Sequence, residues 1–284
     1  MTPSRKPPHS VQVLQRWITE AERHSGVAVA RQQRWVSYMV LAAMLDQVRD
    51  EDDQPLFLLK GGVALELRLG LQARATKDYD TAFRAEIDDL LDHLDEVLRA
   101  GHGDFTAERT ALEAVGTTPA KRTTIKLSYR GRPWASVQFE VAPTEGALGH
   151  EIDRVAARPL DHLGLEGPDD VPCVAVRWQI AQKLHACTEI PEDGRRNDRF
   201  RDLPDILLLW ELVDEQERDG VRGACEEIFR LRGQHAWPPE VVAFDHWPEP
   251  YQALADEMQF PVMDVYEAAA AVQAIVDELA SRTS

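Results

Sequence analysis

Residues 60–80 read KGGVALELRLGLQARATKDYD and end on two aspartates, Asp78 and Asp80, with one tyrosine between them. On an extended strand, residues two apart share a face, so both carboxylates are presented to one spot and Tyr79 turns away. Carboxylates that close repel each other unless a cation sits between them. Hard oxygen ligands on a short strand suit Mg²⁺, with Mn²⁺ as the alternative; Mg²⁺ keeps waters and shares its other positions with substrate phosphates. Upstream, Gly61 and Gly62 stand where an apolar run ends and an amphipathic run begins. The free N–H groups and dipole of a helix starting there attract phosphate. Lys60 and Arg74 add positive charge, and Thr76 places a hydroxyl two residues before Asp78. Each feature has a bland counterpart: chance acidic pairs in a chain with 49 Asp and Glu, a tight turn at the glycines, a solvated Lys60, a loop-capping Thr76. Together they describe a metal and phosphate site.

A two-metal centre needs a further acidic ligand. In SVQFEVAP, Val137, Phe139 and Val141 face one side and Ser136, Gln138 and Glu140 the other, so Glu140 is the candidate; a solvent-facing hairpin residue is the alternative. Further along, AVRWQIAQKLHA carries Lys183, and RFRDLPDILLL carries Arg201, Asp202 and Asp205. By themselves these read as a snorkelling lysine and a helix N-cap with an acidic first turn.

The elements that must position these groups follow from periodicity. Residues 11–50 have helical spacing, with Trp35, Met39, Leu41 and Leu45 on a buried face. FLLK at 57–60 is a buried strand before the glycine turn, VALELRLG a short helix with Gly70 as its C-cap, and DYDTAF at 78–83 a strand. Residues 86–100 form a helix with Leu90, Leu91, Leu94 and Leu98 inside. A hairpin spans 123–141 around the GRP turn. Prolines and glycines mark a change of composition over 143–172, beyond which helices are expected at 173–187, 203–216, 221–232 and 262–281.

The pattern KGG, an apolar helix with an arginine, then R-x-T-x-D-x-D resembles the AbiEii/AbiGii (MenT-like) nucleotidyltransferase toxin family, and Lys183 with Asp202 and Asp205 matches that family's lysine and Asp-x-x-Asp elements. The resemblance covers scattered motifs from about residue 56 to 210. It implies an α+β fold with the mixed sheet and flanking helices of the polymerase β-like nucleotidyltransferases, and a helical C-terminal domain. On that basis residues 1–150 are the nucleotidyltransferase domain with its N-terminal helices and 151–284 the mainly helical one. The implied activity is transfer of a nucleoside monophosphate from an NTP to an acceptor hydroxyl. In it Asp78, Asp80, Lys183, Asp202 and Asp205 are catalytic, and Lys60, Gly61, Gly62, Arg74 and Thr76 bind nucleotide. Asp78, Asp80 and Glu140 bind metal. Implied partners are an antitoxin, which in some relatives phosphorylates the hydroxyl equivalent to Thr76, and an RNA acceptor such as a tRNA 3′ end, in an abortive-infection setting. The chain departs from minimal nucleotidyltransferases in the long stretch from Gly62 to Asp78 and in Pro204, which a helix's first turn tolerates.

Composition narrows the remaining classes. A net charge of −17 opposes a general nucleic-acid-binding surface, leaving only local patches at Lys121, Arg122, Lys126, Arg130 and Arg132 and at Arg195, Arg196, Arg199 and Arg201. Three cysteines without a CxxC pair suggest neither a disulfide framework nor a thiolate zinc site, and His185 with Cys187 completes no tetrahedral set. No signal peptide or membrane span is expected, so the location expected is cytoplasmic. A nucleotide- or partner-binding regulatory protein of the same fold stays open as the alternative. A glycosyltransferase is disfavoured because one strand, not a longer alternating run, precedes the Asp-x-Asp.

Overall fold

A computed structural model describes residues 5–116, 118–191 and 194–282; the first four residues of the proline-bearing N-terminus lie outside them. The chain divides into two compact units. The first holds Met1–Arg68, Ala75–Thr144 and Ile152–Cys173, and the second Leu69–Arg74, Glu145–Glu151 and Val174–Ser284.

In the first unit the helical run expected over 11–50 is two helices, α1 (Val11–Ser25) and α2 (Val29–Leu45). The break has a local cause: Gly26 adopts φ +70° and donates its N–H to Glu22 O, closing α1. Ser10 caps the other end by accepting from Val13 N. From Trp35 to Leu45 every residue of α2 is buried. The strand β1 (Phe57–Lys60), the helix α3 (Gly61–Leu69) and the strand β2 (Asp78–Phe83) fall where periodicity placed them. Gly70, at φ +62°, opens a short 3₁₀ turn, Gly70–Gln72, and does not simply cap α3. In α4 (Leu90–Ala100), Leu90, Leu94 and Leu98 are buried, but Leu91 is 39% exposed. One residue is a 100° rotation, which carries Leu91 off the stripe that i, i+4 spacing builds.

The strands β3 (Phe105–Arg109) and β4 (Glu113–Ala114) precede the hairpin of β5 (Lys121–Tyr129) and β6 (Arg132–Pro143). Two more strands, β7 (Ile152–Ala156) and β8 (Asp170–Val174), lie in the proline-marked stretch where none was expected. The mixed sheet runs β3-β5-β6-β2-β1-β8-β7, with β4 on β5. β1 is antiparallel to β2 and parallel to β8, and β2 is parallel to β6.

One face of this sheet is the core. Tyr79 and Phe139 stack at 6.1 Å, Tyr38 of α2 lies 5.7 Å from Tyr79, and Phe57, Ile125, Leu127, Val137 and Val141 join the same cluster. Truncating one such aromatic costs about 3–5 kcal/mol. The period of two then commits Asp78, Asp80, Gln138, Glu140, Arg122, Thr124 and Lys126 to the other face.

The second unit is built from α5 (Val176–Thr188), α6 (Asp202–Trp210), α7 (Arg218–Arg232), α8 (Pro248–Met258) and α9 (Val265–Ser281). Periodicity does not mark α8, and α6 stops at Trp210, short of 216. The prolines that open PEPYQALADEM punctuate the sequence, yet a helix's first turn accepts them. Cys173, Cys187 and Cys225 are buried and unpaired with one another. Among the described residues no helix is long and apolar enough to cross a membrane.

Candidate active site

Strand register sets four charged side chains in one row across the open face. Lys60 of β1 stands opposite Asp80 of β2, Asp80 opposite Glu140 of β6, and Glu140 opposite Arg122 of β5. The order across four strands is cation, carboxylate, carboxylate, cation. Asp78, two residues before Asp80, shares the face in the next row beside Gln138, while Tyr79 is buried behind. Arg122 donates from Nη2 to Glu140 Oε2 at 2.7 Å and from Nε at 3.3 Å. That bond and charge raise the Arg122 pKa, and Asp78 and Asp80 raise it further.

The glycines are explained by what touches them. Gly61 has φ +64°, and the Asp80 carboxylate occupies the space a Cβ there would need. A Cβ on Gly62 would lie 2.7 Å from Thr76 Cβ and 2.8 Å from its Oγ1. The start of α3 is thus bare backbone, pressed by Asp80 on one side and Thr76 on the other, with first-turn N–H groups that have no i−4 carbonyl. Thr76 is buried; its hydroxyl donates to Asp78 O at 3.3 Å, and its own carbonyl accepts from Tyr38 Oη at 3.0 Å. Burial, against the opposing pull of Arg34, pushes the Tyr38 phenol up to about 12, with Glu66, Asp78 and Asp80 adding to it. It is a neutral anchor for the loop before β2.

In the second unit, Lys183 of α5 donates to Asp202 Oδ1 and Asp205 Oδ2, each at 2.7 Å, and Arg74 donates from Nε to Asp205 Oδ2 at 3.2 Å. Lys183 does not snorkel: its side chain is 11% exposed, and that of Asp205 is wholly buried. Nor does Asp202 cap α6, since Arg201 takes the N-cap position. Burial alone would lower Lys183, but Asp202 and Asp205 outweigh it and raise its pKa. Burial would raise Asp205, and Lys183 and Arg74 outweigh it in the other direction. Both groups are charged. Asp205 Oδ1 has no hydrogen-bond donor among the described residues. Arg74, expected beside the glycine turn's phosphate, belongs to this ion cluster through Asp205.

Of the known families, the model described as "Nucleotidyl transferase AbiEii toxin, Type IV TA system" matches residues 43–278. The chain belongs to the AbiEii nucleotidyltransferase toxin family. Among solved structures, MenT4, a nucleotidyltransferase toxin from Mycobacterium tuberculosis H37Rv, is 16% identical; the match covers 96% of this chain and 99% of that one, with a TM-score of 0.53. JHP933 from Helicobacter pylori is 16% identical over 87% of this chain and 91% of its own, with a TM-score of 0.47. No curated protein sequence matches. The mixed sheet with flanking helices is that of the polymerase β-like nucleotidyltransferases. An AbiEii protein is an enzyme that transfers a nucleotidyl group, and a type IV toxin has a cognate antitoxin.

For an AbiEii enzyme the donor set of the open face can be tested against a metal. Among the described residues no three His, Cys, Asp or Glu side chains stand close enough to cage an ion. A cation there would rest on the two aspartates, with phosphate oxygens and water completing it, which is the ligand set Mg²⁺ takes. Strand register puts Asp78 and Asp80 on the one face where such a cation would rest. Glu140 is adjacent in register, but its Oε2 is engaged by Arg122. In the sequence Arg122 is one member of a basic patch, and nothing singles out Tyr38. Helix α2 offers no signal for Tyr38, whereas Arg122 faces Glu140 across a hairpin, and that can be counted once the register is known.

Proposed function

We propose that this chain is a Mg²⁺-dependent toxin that moves a nucleoside monophosphate from an NTP to the hydroxyl of an RNA acceptor such as a tRNA 3′ end. The acceptor oxygen attacks the α-phosphorus, an O–P bond forms, the bond to pyrophosphate breaks, and the hydroxyl proton passes to solvent. The observation that carries this reading is the Asp80 carboxylate packed on Gly61 at the start of α3, with Asp78 on the same strand face. A carboxylate pair and a phosphate-binding helix start are thereby held side by side on rigid elements.

Asp78 and Asp80 are the residues that would hold the cation. When bound it would neutralise phosphate charge and polarise the reacting oxygens. The N–H groups at Gly61 and Gly62, with Lys60, bind triphosphate oxygens. Lys183 is a buried cation of the second unit. Asp202 and Asp205 keep it protonated and fix its rotamer, and Arg74 balances the second carboxylate. The setting proposed is the cytoplasm, with growth arrest as defence against phage. Antitoxin control through phosphorylation of Thr76 would first require the hydroxyl to leave Gly62. A phosphate there adds about two negative charges beside the aspartates and blocks NTP binding.

The test is incubation of the purified chain with Mg²⁺, each labelled NTP and total RNA, beside Asp80→Asn. Label transfer by the wild type and its loss in the variant are expected. Transfer that persists in Asp80→Asn overturns the metal assignment, and absence of transfer with every NTP overturns RNA as acceptor.

A further inference from the structure

We propose that Arg122, held in place by Glu140, binds a backbone phosphate of the RNA acceptor. This rests on Asp78 and Asp80 being the reaction centre. In an in-line displacement the attacking and leaving oxygens lie on opposite sides of phosphorus. In the charged row, Lys60 and the start of α3 stand on one side of Asp80, the side assigned to the triphosphate. Glu140 and Arg122 stand on the other. With strands about 4.8 Å apart, β5 is two strands, roughly 10 Å, from β2. A guanidinium side chain spans much of that interval. A cation on this side meets the group that attacks.

Arg122 is suited to the task. Its side chain is 49% exposed, and Nε and Nη2 both bond one oxygen of Glu140, which is 26% exposed. Nη1 makes no hydrogen bond among the described residues, so the guanidinium is fixed at one edge and keeps donors for a phosphate. Four residues along the same face of β5, about 13 Å at ~3.3 Å per residue, Lys126 is exposed. Between the two cations lie hydrogen-bonding groups, Gln138 Nε2 donating to Thr124 Oγ1 at 3.0 Å, with Asp78 beyond Gln138 in the same row. Two cations separated by amide and hydroxyl groups fit the phosphates of a single strand, with sugar or base edges between them. Glu140 is then a positioning residue for Arg122, and Arg122 takes no part in proton movement.

The test uses the full chain and a short fluorescein-labelled single-stranded RNA with a free 3′ hydroxyl. RNA binding is read by anisotropy, and metal binding is read separately by titrating Mn²⁺ with paramagnetic detection. Arg122→Gln and Glu140→Gln should each weaken RNA binding about tenfold, the size of one charge-assisted hydrogen bond lost. The double variant should be no worse than either single one, and Arg122→Lys should recover part of the loss. In turnover, KM for RNA should rise by the same factor while kcat at saturating RNA and Mn²⁺ affinity hold. RNA binding unchanged in Arg122→Gln overturns the proposal. So does Glu140→Gln weakening Mn²⁺ and not RNA, which makes Glu140 a metal ligand. Asp80→Asn separates the two readings, since it should abolish label transfer and leave RNA anisotropy intact. A wild type that binds no RNA but labels a neutral alcohol overturns the acceptor class alone and leaves nucleotidyl transfer standing.

Discussion

At the level of single residues, two glycines with nearly the same backbone separate conformational need from site need. Gly61 has φ +64° and Gly70 φ +62°, but only at Gly61 does a Cβ collide, and it collides with Asp80. Gly70→Ala should therefore cost about 1 kcal/mol of backbone strain and leave turnover near wild type. Gly61→Ala should cost more and lower kcat at least about tenfold by displacing the carboxylate. Equal activities in the two variants, assayed side by side with urea unfolding, would remove Asp80 from the centre. Lys183 makes the complementary case. Lys183→Ala leaves Asp202 buried without its lysine and Asp205 with Arg74 alone, and urea unfolding should show a loss of about 3–5 kcal/mol. The pH signs follow from the shifts. Asp205, lowered when folded, stabilises above its unfolded pKa of about 3.9 and loses that contribution as pH falls through its folded value. Lys183, raised when folded, contributes below about 10.4 and loses the contribution as pH rises through its folded value. The cluster is therefore at full strength across the neutral range, and stability in Lys183→Ala should fall short of wild type by the same amount at pH 6 as at pH 9, taken as roughly the middle of that window.

Among the elements, the contact of α5 with α7 holds a second titrating group. His185 of α5 is buried edge-on to Phe229 of α7, 4.9 Å between ring centres, with His235 at 4.6 Å and Arg232 at 3.5 Å from its Nδ1. Burial first, then Arg232 and His235, against the pull of Glu145, lower its pKa from the usual 6.5 to about 4. The unfolded chain therefore takes the proton first. The stability His185 contributes is complete above about 6.5 and declines as pH falls towards 4, by up to about 3 kcal/mol. His185→Leu should flatten the urea midpoint between those limits; curves of equal slope would refute it. Sequence periodicity found the elements whose apolar residues repeat cleanly: FLLK, DYDTAF and the hairpin. It missed β7, where IDRVA has no buried position, and β8, where Pro172 reads as a breaker inside a central strand. The row of charges was hidden for a different reason. Counting back from the Tyr129 and Arg132 pair sets Glu140 opposite Lys121, but a register shift at Leu127 and Ser128 brings Arg122 there instead. One extra residue in a strand decides which cation faces the carboxylates, and the hydrophobic alternation of β5 does not announce it. The ion cluster was hidden too, because a lysine on α5 and two aspartates opening α6 have satisfactory separate explanations until the packing joins them.

For the whole molecule, a charge of −17 has to coexist with the polyanionic acceptor proposed above. Many basic side chains are already neutralised: Arg109 by Asp95, Arg130 by Asp104, Arg154 by Asp46 and Asp170, and Arg282 by Glu215 and Asp219. The patch on β5 and β6 is accordingly less basic than its composition, with Arg130 committed to Asp104 and Arg122 to Glu140. Two phosphate contacts, at Arg122 and Lys126, give a slope of log affinity against log salt near −1.4, at about −0.7 per phosphate of a single strand. From about 50 to about 200 mM salt, RNA affinity should then fall only about sevenfold, where a protein with six or more contacts loses a thousandfold. Arg122→Gln should halve the slope to about −0.7. Anisotropy titrations across that salt range read both numbers at once. A slope of about −4 or steeper in the wild type would mean that several other cations carry the RNA, and the second patch, from Arg195 to Arg201, would become the place to look. A shallow slope that Arg122→Gln reduces by half would place the acceptor on the open sheet face. The acidic remainder of the surface would then act as a selectivity device, repelling nucleic acid everywhere except where two fixed cations hold one end of a strand.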